Sequence, residues 1–236
     1  MKIVSFICQK GGTGKTTLAL NTAIEAMRSG MTVAVVDLDP QPSACAWSDL
    51  RGKREEPVVI DAKPARLAVA VDTARAQEGL DLLIIDTGGR TEEGAFAAAK
   101  VSDLVIVPVQ PSAVDLTSMP ATRDLLSMAG SPMALAVITR TKPFGTRDAE
   151  SAAWLYAAKI DVAKTIIGDR IIFQDAYAAG QGVSEFSPGS RAADEAGALF
   201  AEIAGLLGLK TSRQVNKKQS GVLDNGKQTT KSRRAR

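Results

Sequence analysis

The chain contains no histidine and only two cysteines among its 236 residues. The lack of histidine excludes Ser-His-Asp and Cys-His nucleophilic sites, histidine-ligated zinc and histidine general bases. Cys8 and Cys45 fit neither a C-x-x-C metal pair nor a disulfide framework, and such sparse cysteine is typical of a reducing cytoplasm. Any catalysis must therefore use carboxylates, lysines, arginines, hydroxyls, backbone N–H groups or a hard metal ion.

Long apolar runs are also lacking. None approaches the roughly 20 residues that a membrane-spanning helix requires. The apolar run at 2–8 is too short to predict a signal peptide. The apolar content of 45% is nevertheless that of a globular protein. We therefore expect a cytoplasmic globular protein that does not enter a membrane.

The net charge of +3 is unevenly distributed along the chain. Residues 210–236 contain nine lysines and arginines but a single acid, Asp224, so the preceding residues carry a net charge of −5. The apolar periodicity also stops after Leu209. We predict a folded domain over 1–209 and a basic C-terminal tail over 210–236 that is disordered in isolation.

Short apolar runs alternate with helix-like segments through the first 209 residues. The runs are continuously apolar, which is typical of strands buried on both faces of a parallel sheet. Strands are predicted at 2–8, 32–38, 80–86, 102–109 and 133–139. Helices are predicted at 15–29, 64–78, 91–100, 114–129, 147–159 and 189–208. This order predicts an α/β fold with a single doubly wound, mainly parallel sheet flanked by helices.

A glycine-rich segment follows the first predicted strand and leads into the first predicted helix. Its end, Gly14-Lys15-Thr16, matches the phosphate-loop pattern G-x-x-x-x-G-K-S/T, although Gln9 replaces the first glycine. Glycines let backbone N–H groups turn towards an anion, and the helix adds its positive end. The lysine supplies charge to the phosphates and the threonine hydroxyl can bind Mg²⁺. The alternative is a glycine-rich turn without a ligand, but the order of strand, glycines and helix favours nucleotide binding.

Acidic residues follow two of the predicted strands. Asp37 and Asp39 come at the end of one strand, and Asp86 ends another. Ligands bind at the carboxyl ends of strands in such sheets, and Mg²⁺ prefers carboxylate oxygens beside phosphates. An isolated aspartate at a strand end is more often a turn or helix cap. Beside a phosphate loop, however, these residues predict a magnesium site.

Together these motifs resemble the deviant Walker A ATPases of the ParA/MinD family. Residues 10–16 match K-G-G-x-G-K-S/T, and residues 37–41 match D-x-D-P-Q. The segments "IIDTGG" and "VIVPVQPSAVDL" follow in the order expected of that family. The resemblance covers about 1–208 and is strongest to the small plasmid-partition ParA proteins (ParF-like), which lack an N-terminal DNA-binding domain.

The resemblance implies roles for the residues of the loop. Lys10 would reach the nucleotide of the other subunit in an ATP-bound sandwich homodimer. Lys15 would hold the phosphates of its own subunit, and Thr16 would bind Mg²⁺. The other nucleotide-binding positions implied in this segment are Gly11, Gly12, Thr13, Gly14 and Thr17.

The resemblance also assigns roles beyond the loop. Asp39 would orient the attacking water, which makes it a catalytic residue together with Lys10 and Lys15. Asp37 and Asp86 would be the carboxylates on the magnesium side. A less specific match places Thr139 and Arg140 beside the base. The implied cofactors are ATP and Mg²⁺, and the implied reaction is phosphoryl transfer to water through positioning and charge neutralisation.

One segment departs from the family pattern. Many members have a proline in the segment that reads "DTGG" here, where Gly88 and Gly89 stand instead. The two glycines suggest a looser switch segment. This leaves open how hydrolysis is coupled to opening of the dimer.

The basic tail is a candidate for sequence-independent DNA binding through counterion release. A passive, solubilising tail is the alternative. Arg170, Lys159 and Lys164 are further candidates, on the folded domain. The candidate DNA-binding residues of the tail are Lys210, Arg213, Lys217, Lys218, Lys231, Arg233, Arg234 and Arg236. The tail cannot form the C-terminal membrane helix associated with MinD.

The resemblance therefore implies an ATPase that partitions plasmid or chromosomal DNA. It would act as an ATP-dependent homodimer on nucleoid DNA, with a ParB-like centromere-binding partner that stimulates hydrolysis. The first alternative is a positioning ATPase for another cargo, such as a chemoreceptor cluster or a microcompartment. The second is a synthetase or metal-cluster carrier of the same fold, which the basic tail and the missing cysteine pair disfavour.

Overall fold

Seven parallel strands form one sheet, in the order β3-β2-β4-β1-β5-β6-β7. The computed structural model describes residues 1–89, 92–112, 117, 119–142, 155 and 160–210. The strands are β1 Lys2–Phe6, β2 Val33–Asp37, β3 Val58–Asp61, β4 Leu82–Asp86, β5 Leu104–Val109, β6 Met133–Ile138 and β7 Asp161–Val162. Every paired strand in this sheet runs parallel to its neighbour, which confirms the predicted fold class.

Helices flank both faces of the sheet. They are α1 Lys15–Arg28, α2 Ser43–Leu50, α3 Leu67–Ala76, α4 Glu92–Val101, α5 Met119–Met128, α6 Ile172–Ala178, α7 Val183–Phe186 and α8 Arg191–Leu207. A 3₁₀ turn at Pro64–Arg66 precedes α3. The predicted helix at 147–159 lies outside the described residues except at position 155, and so does the tail from 211 onward.

The apolar runs are continuous because successive strand residues enter two different cores. In β1, Val4 and Phe6 belong to the core on one face, whereas Ile3 belongs to the core on the other. The first core is closed by α1 and α8, and the second by α3, α4 and α5. Since side chains alternate along a strand, a strand covered on both faces needs apolar residues at every position.

The strand order places a crevice at the carboxyl end of β1. The chain leaves β1 towards β2 and β3 on one side, returns to β4, and then crosses to β5 on the other side. This reversal is the position at which open α/β sheets bind ligands. In the part of the chain that the structure describes, no helix is long and apolar enough to cross a membrane.

Candidate functional site

The glycine-rich loop connects β1 to α1 in the crevice. Gly12 and Gly14 have left-handed backbone angles, with φ of 77° and 96°. Gly14 occupies the N-cap of α1 and has no side chain to accept from the N–H groups of the first helical turn. These N–H groups therefore remain available to an anion at the positive end of the helix.

Three carbonyl groups of the loop accept hydrogen bonds from side chains. Lys15 Nζ donates to the carbonyl oxygen of Lys10 at 2.9 Å. Thr139 Oγ1, after β6, donates to the carbonyl oxygen of Thr13 at 3.0 Å. Gln110 Nε2, after β5, donates to the carbonyl oxygen of Gly12 at 2.9 Å. Because the carbonyls are engaged from these sides, the loop keeps the shape that an anion site needs.

Gln110 is a site residue that the sequence did not predict. Its one sequence signal is a polar residue directly after a buried strand, at the edge of the sheet where the loop lies. In the structure the buried side chain of Thr139 holds the phosphate loop, and its contact with a base stays a prediction.

Asp37 organises the segment that follows β2. One carboxylate oxygen accepts from the backbone N–H of Asp39 at 3.0 Å. The other accepts from the N–H groups of Ala44 at 2.8 Å and Cys45 at 3.3 Å, at the start of α2. Burial raises the pKa of Asp37, although these N–H bonds act against the rise. Asp37 thus caps α2, so the helix-cap alternative applies to it.

Asp86 lies beside Asp37, because the two residues pair in register on adjacent strands. It is fully buried, and among the described residues no donor reaches either carboxylate oxygen with good hydrogen-bond geometry, although the Thr16 hydroxyl lies close enough to lower the pKa. Burial raises its pKa to about 7, opposed by the nearby Thr16 hydroxyl and Lys15 ammonium. An unpartnered buried carboxylate is costly, and a cation with its bound water would supply what it lacks.

Two adjoining cavities open on the loop. The front cavity is lined by Gly11, Gly12, Gly14, Lys15, Thr16, Thr17, Asp39, Pro40, Gln41, Ser43, Gly88, Gly89 and Arg140. The side cavity is lined by Thr13, Gly14, Thr17, Leu18, Thr139, Arg140, Ile167, Gly168, Asp169, Arg170, Phe173, Gln174 and Tyr177. Arg140 borders both cavities and has a left-handed φ of 54°, which is rare for a residue with a side chain.

The segment after β4 packs closely against the loop. A Cβ at Gly89 would lie 2.7 Å from the backbone nitrogen of Gly11, and one at Gly88 would lie 3.1 Å from Asp39 Oδ1. The glycines therefore have a steric role, because a side chain at position 89 would displace the loop backbone. A looser switch segment stays a prediction.

Of the candidate DNA-binding residues, few lie among the described positions. Arg170 lines the side cavity, and its guanidinium forms an ion pair with Glu195. Lys164 and Lys210 are exposed. Lys159 and the tail residues from Arg213 to Arg236 lie outside the described residues.

Known proteins share this sequence pattern and this fold. The family described as "CobQ/CobB/MinD/ParA nucleotide binding domain" matches residues 4–225. The chain is 28% identical to the maintenance of carboxysome distribution protein A of Gloeobacter kilaueensis over 152 residues, which are 64% of this chain and 68% of that protein. It is 32% identical to the chromosome-partitioning ATPase Soj of Thermus thermophilus over 129 residues, which are 43% of this chain and 52% of Soj. The chain thus spans about half the length of this second relative.

A solved structure with the same fold has much lower identity. The septum site-determining protein MinD of Pyrococcus horikoshii, in complex with Mg-ADP, superimposes with a TM-score of 0.71 at 20% identity. The match covers 88% of this chain and 98% of that one.

Proposed function

This chain belongs to the CobQ/CobB/MinD/ParA family of nucleotide-binding domains, and we propose that it is a ParA-type ATPase that converts ATP and water to ADP and phosphate. The observation that carries the proposal is the pair of cavities meeting at the loop. The front cavity combines the loop glycines, Lys15 and Asp39, and the side cavity offers a separate wall that contains apolar and aromatic side chains. A nucleoside triphosphate has the matching division into a charged and a weakly polar part.

The nucleotide fits the two cavities in one orientation. Its phosphates lie in the front cavity, where the α1 N–H groups and the Lys15 ammonium offset their charge. Its base lies in the side cavity, against Phe173 and Tyr177. Arg140 stands between the two parts, because it borders both cavities.

Mg²⁺ is the metal that the residues fit best. Thr16 and Asp86 would hold it, with Asp37 supporting them from the adjacent strand. No three acidic or cysteine side chains converge into a metal cage in the described part of the chain. Mg²⁺ sites commonly use one or two carboxylates, water and substrate phosphates. The ion supplies neutralisation of phosphate charge.

The reaction needs an oriented water and neutralised charge. Asp39 stands in the wall of the front cavity and is the group that orients the water. Lys15 neutralises charge on the phosphates. We propose that Lys10 serves the nucleotide of a partner subunit, the role that the match of residues 10–16 to K-G-G-x-G-K-S/T implies. ATP occupancy then favours the dimer, and hydrolysis releases it.

The biological role that we propose is partition of plasmid or chromosomal DNA. The ATP-bound dimer binds nucleoid DNA without sequence preference in the cytoplasm, and a ParB-like centromere-binding protein stimulates hydrolysis. The similarity to Soj supports this role. The second candidate is positioning of a non-DNA cargo, which the similarity to the carboxysome-distribution protein favours.

Sedimentation with ATP, ADP or no nucleotide tests the ATP-gated dimer. We expect the wild type to dimerise with Mg-ATP only, and Lys10→Ala to bind ATP but stay monomeric. DNA added to the same samples should co-sediment with the ATP-bound wild type alone. Equal dimerisation of both proteins without nucleotide would contradict the mechanism.

A further inference from the structure

Tyr177 lines the side cavity and is hydrogen-bonded to a residue that lines the front cavity. Helix α6 places Phe173, Gln174 and Tyr177 on one face, because residues at these spacings share a face of a helix. All three line the side cavity. The Tyr177 hydroxyl also donates to the carbonyl oxygen of Ser43 at 2.8 Å, and Ser43 lines the front cavity. The Tyr177 side chain thus lines the side cavity and contacts the wall of the front cavity.

Two hydrogen bonds between residues close in sequence connect Ser43 to Asp39. Ser43 Oγ donates to the carbonyl oxygen of Gln41 at 3.3 Å. The backbone N–H of Gln41 donates to Asp39 Oδ1 at 3.0 Å. Asp37 holds both ends of the segment, through the N–H of Asp39 and the first N–H groups of α2. A restraint on Ser43 therefore restricts the Asp39 carboxylate as well.

The Tyr177 hydroxyl is suited to act as a constant donor. Burial, together with the negative charges of Asp37 and Asp86, raises the pKa of Tyr177 above its ordinary value. The phenol therefore keeps its proton throughout the neutral range. Its acceptor is a backbone carbonyl, so the bond does not depend on the ionisation of a second side chain.

We propose that Tyr177 is a positioning residue that links occupancy of the side cavity to the placement of Asp39. The inference rests on the proposed ATPase function. A nucleoside base against the ring restricts the side chain, and the hydroxyl then holds Ser43 and the segment back to Asp39 in one arrangement. The base thereby contributes to hydrolysis at a site that it does not touch.

Tyr177→Phe tests this link, because it keeps the ring and removes only the hydroxyl. We expect the Kd for ATP to change less than about twofold, while kcat falls about fivefold to tenfold, the effect of losing one neutral hydrogen bond. Thr73→Val is the matched control, since it removes a hydroxyl-to-carbonyl bond of 2.9 Å on α3, away from the site. Its kcat and Kd should equal those of the wild type. An unchanged kcat in Tyr177→Phe overturns the proposal.

Hydrogen exchange with ADP separates this inference from the proposed function. In the wild type, ADP should slow exchange in the loop at 11–17 and in the segment at 41–46. In Tyr177→Phe, the loop should still be protected and the segment at 41–46 should not. Equal protection of that segment in both proteins overturns the role of Tyr177. No protection of the loop in the wild type overturns nucleotide binding itself, and the inference with it.

Discussion

At the scale of single residues, Asp37 and Asp86 occupy matching strand positions but have different hydrogen-bond partners. Its two oxygens accept three backbone N–H groups, two of them at the start of α2. Asp86, its neighbour in register, accepts none from the described residues. Two aspartates in matching strand positions therefore differ in how many backbone N–H groups they accept. Asp37 is satisfied by the fold, whereas the Asp86 carboxylate is left to the Mg²⁺ that we propose.

Gly89→Ala should disturb the phosphate loop from outside it. The new methyl group would meet the Gly11 nitrogen at 2.7 Å, and that backbone cannot rotate away as a side chain could. Overpacking of this kind costs about 1–3 kcal/mol. We expect weaker ATP binding, measured by titration calorimetry, together with a lower free energy of unfolding.

Gly205→Ala is the control for this substitution. A Cβ at Gly205, within α8, would meet no atom within 4 Å. Alanine is favoured over glycine in helices by about 0.5–1 kcal/mol, so this variant should gain stability and keep its ATP affinity. Unchanged ATP binding in Gly89→Ala would show that the loop tolerates displacement by its neighbouring segment.

At the scale of elements, prediction from sequence succeeded where burial alone decides the structure. The five predicted strands are present because each lies between two apolar cores. The two edge strands, β3 and β7, were missed. β3 has four residues with Val58 and Ile60 exposed, and β7 has only two residues, so neither sequence has the pattern of a buried strand. The short helices α2, α6 and α7 were also missed. α2 is held by tertiary contacts, including its cap by Asp37, which local sequence does not reveal.

Arg51 joins the end of α2 to the loop around α7. Its side chain is 2% exposed and donates to the Glu185 carboxylate and to the carbonyl oxygen of Gly180. It also lies 4.6 Å from the centre of the Trp47 ring. Gly180 packs against the backbone of Leu50 and Arg51, where a Cβ would lie as close as 2.4 Å. These contacts fix the position of the end of α2 relative to the loop around α7.

Glu185→Gln should destabilise the protein in a pH-dependent way. Burial acts to raise the pKa of Glu185, but the Arg51 hydrogen bonds, the Gly182 N–H and the charges of Arg51 and Arg54 together outweigh it and lower the pKa below its ordinary value of 4.5. The ionised pair thus stabilises the fold above that pH, and its contribution is lost as pH falls through the lowered pKa. Urea unfolding at pH 7.5 should show a loss of about 3 kcal/mol, since removing one partner leaves a buried charge.

The pH series provides the check on this assignment. The difference between wild type and Glu185→Gln should shrink as the pH is lowered below 4.5, the ordinary pKa of the group. Asp72→Asn removes an exposed pair with Arg75 and should change stability by less than about 0.5 kcal/mol at any pH. A difference that stays constant with pH would mean that packing, not charge, accounts for the loss.

At the scale of the whole molecule, the site is assembled from the ends of several strands. The loop and the acidic positions could be predicted because their residues lie in contiguous sequence motifs. Gln110 and Tyr177 were not, because each acts through a backbone carbonyl that is distant in sequence. A hydrogen bond to a backbone carbonyl places no demand on the acceptor's side chain. The sequence therefore does not reveal which residues pair in this way, and the polar position after β5 indicates only the edge of the sheet at which Gln110 lies.

Deletion of 211–236 addresses the division of the chain into a folded domain and a basic tail. The two apolar cores lie within 3–204, so the shortened chain should keep its free energy of unfolding and its ATP affinity.

The deleted segment carries eight of the nine basic residues of the tail and its one acid. For every DNA phosphate that the protein no longer neutralises, the slope of log K against log salt should become shallower by about 0.9. We therefore expect DNA binding by the ATP-bound dimer to become weaker and its slope to fall by about 3–6. Fluorescence anisotropy with a DNA duplex, over a range of about 50 to 300 mM salt, measures both. An unchanged slope would assign DNA binding to the folded domain and leave the tail a passive role.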